Sequence, residues 1–212
     1  MEQMYGLSMK SPLAYLREYV AILRRALWEG KVDFHGEYFN TIFTMPRKAQ
    51  IPILISALGE NAFRMAGQIA DGAISWMCPV PYLLNKALPA LREGAKSSQR
   101  PVPPLVAHLP VALSTDKTAA RTAMRQRVQP YTKMPFYAHM FAEAGISVTG
   151  NEAAIDALAD ALVVAGDYTS VKQRLLELLA SGIDELLIFP ITVSDAKNEH
   201  KHMLNLICSL QS

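Results

Sequence analysis

The order of apolar segments along the chain predicts an α/β fold built on a parallel sheet. Three observations carry this expectation. Four short apolar runs rich in Ile, Leu, Val and Ala are bounded by Pro or Gly, helical spacing of hydrophobic residues follows each of them, and residues 52–77 compress strand, helix and strand into about 25 positions. Parallel strands cannot be joined by a tight turn, so the chain must cross back over the sheet, and a helix is the usual crossover.

A helix comes first. Ser11 and Pro12 read as N-cap and first helical residue, and Leu13, Leu16, Val20, Leu23 and Leu27 follow at helical spacing until Gly30. Residues 31–50 mix aromatics with Gly, Asn and Pro without a sustained period and are expected to form a long loop with at most a short extended piece. The run IPILISA is short and apolar between Pro52 and Gly59, as a strand buried on both faces reads. Ala62, Met65, Ala66 and Ile69 then share a helix face, Asp71 and Gly72 end that helix, and residues 73–77 form a second strand. Helical spacing over 81–96 is interrupted at Pro89, which predicts a kink or a restart.

The third strand, 105–113, contains Pro110, which must sit where a missing N–H is harmless, at a bulge or an edge. Thr115 and Asp116 offer caps for a helix to about residue 128. Residues 130–165 read as a helical insertion before the last strand–helix unit, with helices at 135–144 and 151–164. Asp167 or Thr169 caps a helix whose apolar face is Val171, Leu175, Leu178 and Leu179, and Gly182 closes it. Residues 183–190 are the fourth strand, and a final amphipathic helix is expected to turn Met203, Leu204, Ile207 and Leu210 inward. Four strands leave two architectures, an open doubly wound sheet or the C-terminal part of a closed barrel of eight strands and about 250 residues. No repeat or linker divides the chain, so residues 1–212 are read as one domain.

Composition narrows the function classes. Half of the 212 residues are hydrophobic and Gly and Pro number only 11 and 13, which excludes collagen-like and disordered chains. A net charge of +2 without a basic cluster argues against nucleic acid as a partner. The first residues, MEQMYGLSMKSP, have neither the basic nor the apolar region of a secretory signal, and apolar stretches are too short to span a membrane. Cys78 and Cys208 form neither a disulfide framework nor a metal cluster by spacing, so a cytoplasmic location is expected and no metal site is assigned. No nucleophile elbow, Walker loop or HExxH motif occurs, and no catalytic residue is assigned. Asp184 and Glu185 are adjacent in a strand, face opposite ways and are expected to begin it in solvent.

The string IPILISALGENAFRMAGQIADGAISWMCP resembles the bacterial-luciferase-like superfamily of flavin- or deazaflavin-dependent oxidoreductases. SPLAYLREYVAILRRALWEGKVDFHGEYF is similar to the helix and loop that precede that strand in the family, and VVAGDYTSVKQRLLELLASGIDELLIFP to its last helix and strand. The resemblance implies a TIM-type (β/α)8 barrel, here its C-terminal part of about four strands, truncated by the family's first third. It implies FMN or a deazaflavin as coenzyme, with the phosphate at residues 57–61, and monooxygenase or other oxidoreductase chemistry on a small organic substrate. The coenzyme ring carries such chemistry, so a missing triad is no obstacle. Half a barrel leaves two unpaired sheet edges, which a second copy in a homodimer or a partner fragment would cover. The alternative is a shortened relative that binds coenzyme or phosphate, or acts as an interaction module, without turnover.

Individual residues give the same region a physical basis. Unpaired N–H groups at a helix N-terminus attract anions, and Gly59 allows close approach to the backbone of Glu60 and Asn61. Against this, Gly59 could serve only a tight turn, and Glu60 would repel an anion if it pointed inward. Ser56 and Ala57 line the strand end, where ligand groups of parallel sheets collect, and Ser75 and Trp76 end the next strand in the same way. Trp76 would wall a ring-binding cavity or simply fill the core. Tyr137 and His139 are candidates for a substrate pocket, with His139 able to move a proton near neutral pH. His108 reads as a satisfied core or rim histidine, and His200 and His202 lie on different helix faces.

Overall fold

The computed structural model describes residues 11–210. Helix α1, Pro12–Arg24, begins with proline in its first turn and runs into a π-helical turn, Arg25–Glu29. Gly30 closes it at φ 76°, the left-handed conformation that glycine adopts without a Cβ penalty. The following segment is a hairpin rather than the expected loop: β1, Lys31–His35, pairs antiparallel with β2, Asn40–Thr44, from Lys31 opposite Thr44 to His35 opposite Asn40. Only Val32 of this hairpin is fully buried, packed with Ile22 and Ala26 of the helix, so hydrophobic alternation is too weak to announce it. A carboxylate secures it instead. Glu18 accepts the backbone N–H groups of Glu37, Tyr38 and Phe39 at 2.8, 3.0 and 3.0 Å. Desolvation pushes the Glu18 carboxyl up, yet these donors together hold it below the usual range.

The main sheet contains β3, Leu54–Ala57; β4, Gly72–Ser75; β5, Leu105–Ala112; the two-residue β6, Val164–Ala165; and β7, Glu185–Pro190. β3, β4, β5 and β7 lie side by side and parallel in chain order, with β6 added at Val111 and Ala112. Among the described residues that order never reverses and forms no switch-point crevice of the doubly wound kind, and right-handed crossovers in one direction place their helices on one face. Among the described residues β3 pairs only with β4, and β7 only with β5, which leaves one free edge at each side.

Register sorts the side chains. Ile55, Ala73 and Leu105 share the helix-covered face with Ala57, Ser75 and Ala107. Leu54, Ser56, Ile74, Val106, His108, Leu187 and Phe189 share the other. The second face is partly open: Leu54 is 38% and Leu187 43% exposed, whereas Ile55 and Ala57 are buried. Pro110 causes no loss. β4 pairs with β5 only at Leu105 and Val106, and β6 only at Val111 and Ala112, so the missing N–H falls in the interval between them.

The crossover helices follow their strands. α2, Glu60–Ile69, leads from β3 to β4. After β4 a short turn, Val80–Tyr82, widens into a π-helical segment, Leu83–Ala87, and continues as α3, Leu88–Ser97. Pro89 can neither donate to nor pack against the carbonyl four residues earlier, and the widened turn just before it absorbs that conflict. Between β5 and β7 lie α4, Lys117–Thr132, which continues past Pro130; α5, Pro135–Glu143; α6, Glu152–Leu162; and α7, Tyr168–Ala180. α4, α6 and α7 start on Asp116, Asn151 and Asp167, whose side chains accept first-turn N–H groups. α8, Ala196–Cys208, turns Met203 and Leu206 inward; Leu204, expected inward, is 63% exposed.

α2 and α3 touch backbone to backbone. A Cβ on Gly67 would lie 2.1 Å from the Leu91 carbonyl oxygen, and one on Gly94 1.9 Å from that of Arg64. The helices pack this closely only because both positions are glycine. Two aspartates secure the N-terminal ends of the strands. Asp71 accepts the Ile53 N–H at 2.9 Å and binds Arg24 at 2.9 Å and Arg100 at 3.5 Å, and Asp184 accepts the Leu105 N–H at 2.9 Å instead of lying idle in solvent.

Candidate active site

The C-terminal ends of the strands gather the chemistry-bearing groups. At the β3–α2 turn Gly59 is the N-cap, with φ −90° and ψ 162°, a conformation open to any residue. A Cβ there would meet nothing within 4 Å. The fold therefore does not require glycine at this position, and the tight-turn explanation loses its force. What the glycine provides is free space over the first-turn N–H groups. Among the described residues the N–H groups of Gly59, Glu60 and Asn61 have no hydrogen-bond acceptor, as helix geometry dictates.

The electrostatics also suit an anion. Glu60 is drawn aside to Lys86, whose Nζ lies 3.1 Å from its Oε1, and the Asn61 Oδ1 accepts from Arg64 at 2.7 Å. The turn is held from below by Tyr82, buried, whose hydroxyl donates to the Leu58 carbonyl at 3.1 Å. Burial drives the Tyr82 phenol upward, so it stays a donor at any ordinary pH. Ser56 is exposed on the open face, while Ala57 is buried against the helices. This donor set fits a phosphate.

A second group of residues lies across the ends of β4, β5 and β7. The Trp76 ring lies 3.9 Å from the His108 imidazole, and Phe189 lies 5.4 Å from His108 and 6.2 Å from Trp76. Trp76 Nε1 donates to the Tyr131 hydroxyl at 3.0 Å, and the Tyr131 ring is 4.8 Å from Tyr137. Helices α4 and α5 thus bring two tyrosines to the strand ends. Burial, with Tyr131 alongside, pushes the Tyr137 phenol up to about 12. The Arg127 guanidinium sits over Phe189 at 5.8 Å.

His108 is anchored through two contacts and left short of a third. Its backbone N–H donates to Ser75 Oγ at 3.1 Å, and its Nδ1 accepts from the Met77 N–H at 3.4 Å. The proton therefore belongs on Nε2, which is buried and has no partner among the described residues. Burial holds this imidazole down at about 4, so it is neutral near pH 7. Met77 aims its N–H from the left-handed region, φ 52°, a strained position for a side chain without special turn chemistry.

The structure brings together Ser56, Gly59, Glu60 and Asn61 around one turn, and Trp76 and Tyr137 around another centre. It does not bring Ser75 or His139 to the open face. Ser75 is fully buried on the helix-covered side, with its hydroxyl engaged by His108, and His139 is exposed beside Glu143 at 3.6 Å. Sequence reasoning missed Arg127 and Phe189 and took His108 for a satisfied residue. The register of β5 against β7 places His108 and Phe189 on one face, and that register leaves no signal in the sequence. The thiol of Cys78 is buried and pushed up to about 12, which removes it as a nucleophile, and no cluster of three or more potential metal ligands occurs among the described residues. No helix among the described residues is long and apolar enough to cross a membrane.

A parallel, sequentially ordered sheet of this kind, with an open N-terminal turn on the helix after its first strand, is the arrangement of the C-terminal part of a (β/α)8 barrel. Residues 1–185 match the family described as luciferase-like monooxygenase, and the chain belongs to that family. It is 32% identical over 191 residues to the F420-dependent glucose-6-phosphate dehydrogenase of Rhodococcus erythropolis, covering 84% of this chain and 55% of that protein. It is 37% identical over 119 residues to the enzyme of the same name from Nakamurella multipartita, covering 52% of this chain and 34% of that protein. The chain thus spans about half the length of the curated relatives it matches, 55% in the first case. Its fold is shared with an F420-dependent secondary alcohol dehydrogenase solved with an F420-acetone adduct, at TM-score 0.73 and 17% identity over 100% of this chain and 66% of that one. It is also shared with the EDTA monooxygenase of Chelativorans sp. BNC1, at TM-score 0.71 and 13% identity over 99% and 62%. These structural neighbours are barrel enzymes, which fits the expectation of a barrel represented here by its C-terminal strands.

Proposed function

We propose that this chain is the phosphate-holding part of an oxidoreductase that uses a deazaflavin or flavin coenzyme on a small organic substrate. The β3–α2 turn carries the reading, because its glycine leaves room that the fold itself does not use, above N–H groups that have no acceptor. Gly59, Glu60 and Asn61 bind the coenzyme phosphate through the backbone, Ser56 lies beside it, and Lys86 holds the Glu60 carboxylate away. The bound coenzyme supplies hydride or oxygen chemistry at its ring. Trp76 and Tyr137 form an apolar wall that keeps water from that region. F420 is favoured over FMN, because the two sequence relatives described above are named for F420.

The two sheet edges are covered in the working protein by a second copy or by a segment carrying the remaining strands, residues 130–165 form an insertion, and the protein works in the cytoplasm. Titration of the purified chain with F420 and, separately, FMN, followed by coenzyme fluorescence with light scattering for mass, tests the reading. Saturable binding that inorganic phosphate competes away is expected. Failure of both coenzymes to bind a chain of defined mass overturns it, and binding without turnover on any alcohol would favour the non-catalytic alternative.

A further inference from the structure

We infer that Arg127 and His108, which lie 5.8 and 5.4 Å from the Phe189 ring, form a recognition wall for a substrate that carries an anionic oxygen group on an apolar body. This deepens the proposed function and rests on its placement of the substrate at the C-terminal ends of the strands. Three independent features lead to it. Arg127 is exposed over the Phe189 ring and has no carboxylate within 4.0 Å among the described residues, whereas Arg121, Arg125 and Arg174 on the neighbouring helices are all engaged by acids. Its charge is therefore available to a ligand beside the Phe189 ring.

The second feature is the unpaired Nε2–H of His108. A fully buried donor without an acceptor is costly and rare, and this one lies on the face shared with Phe189 and the open Leu187. The third is the strained Met77, whose left-handed backbone fixes Nδ1 as the acceptor and thereby keeps the proton on Nε2. The polar groups of this wall are donors: a guanidinium, an imidazole N–H, and the Tyr131 hydroxyl, whose oxygen already accepts from Trp76. Donors without a carboxylate among them select an acceptor-rich, negatively charged group, and the rings of Trp76 and Phe189 select an apolar or planar body attached to it. Carboxylate and phosphate share this chemistry.

Binding can be read without turnover. Labelling the full chain with 5-fluorotryptophan gives two fluorine resonances, one from Trp76 in the wall and one from Trp28, which donates to the Ile51 carbonyl ahead of β3 and serves as an internal control. Benzoate and phenyl phosphate are expected to shift the Trp76 signal saturably, with benzyl alcohol about tenfold weaker or more, and Trp28 unmoved. Arg127→Gln is expected to remove the advantage of both anions while leaving benzyl alcohol unchanged; because Arg127 is exposed, the variant folds, which circular dichroism verifies. His108→Leu is expected to weaken the anions less and to leave the Arg127 effect in place. Equal affinity for the alcohol and the anions, or anion binding indifferent to Arg127→Gln, overturns the inference. A difference between benzoate and phenyl phosphate identifies which anion the wall prefers. Coenzyme titration in parallel keeps the two readings apart, since F420 binding with no anion discrimination refutes only the wall.

Discussion

Replacing Gly59 with valine separates a glycine kept for the fold from one kept for a ligand. At φ −90° and ψ 162° valine is at ease, and its Cβ enters open space, so the folded state accepts the side chain without strain. The unfolded chain loses freedom, worth about 0.4–1 kcal/mol in favour of folding, and the weaker N-cap offsets a similar amount. Stability in urea should stay within about 1 kcal/mol of the parent. The same side chain covers N–H groups that have no other acceptor. Losing one or two hydrogen bonds to a charged phosphate costs about 2–4 kcal/mol, which weakens coenzyme binding roughly 30- to 1000-fold. Fluorescence titration with F420 measures the second quantity and urea denaturation the first. Coenzyme affinity within about threefold of the parent would refute the phosphate assignment. A stability loss above about 2 kcal/mol would show instead that the turn needs glycine for its own sake.

Three further outcomes follow from the packing and the titrating groups. Gly94→Ala puts a Cβ 1.9 Å from the Arg64 carbonyl oxygen and forces α2 and α3 apart; after the gain of about 1 kcal/mol in helix propensity, a net loss of about 2–3 kcal/mol is expected in urea denaturation, and a stabilised variant would contradict the close approach. His108 is held at about 4 by burial, below its ordinary 6.5, so the unfolded chain takes up its proton first as pH falls; stability is full above pH 6.5 and declines toward pH 4. About 2 kcal/mol should be lost between pH 7.5 and 5, a slope that His108→Leu abolishes and that urea midpoints at the two pH values will show. Asp71→Asn removes the charge shared by Arg24 and Arg100 at the N-terminal ends of the strands and is expected to cost about 2–3 kcal/mol while leaving coenzyme affinity, measured at the opposite end, unchanged.

The four main strands were legible because each must be apolar on at least one face and must be punctuated by Pro or Gly, and their ends moved by only a few residues in the structure. β3 begins at Leu54 rather than Pro52, and β4 ends at Ser75, where Met77 turns left-handed. The β1–β2 hairpin was not legible. Its stability comes from Glu18, about twenty positions earlier, and from one buried valine, neither of which leaves a period in the sequence. Leu204 was misplaced by one helical face because α8 packs with Met203 and Leu206, and helical spacing alone accepts either choice.

The site divides along the same line. The β3–α2 turn is contiguous, so Ser56 to Asn61 could be read directly, and what the structure adds is the open space at Gly59 and the ion pair of Glu60 with Lys86. The wall around His108 is assembled from Trp76, His108, Arg127 and Phe189 on four different elements. By itself the sequence determined the parallel order of strands and helices, the position of the β3–α2 turn and the family, because those depend on local periodicity and contiguous motifs. Only the tertiary structure decided which face each strand turns outward, which cations remain free and which donor is left unpaired, because those depend on register and on contacts between residues far apart in the chain.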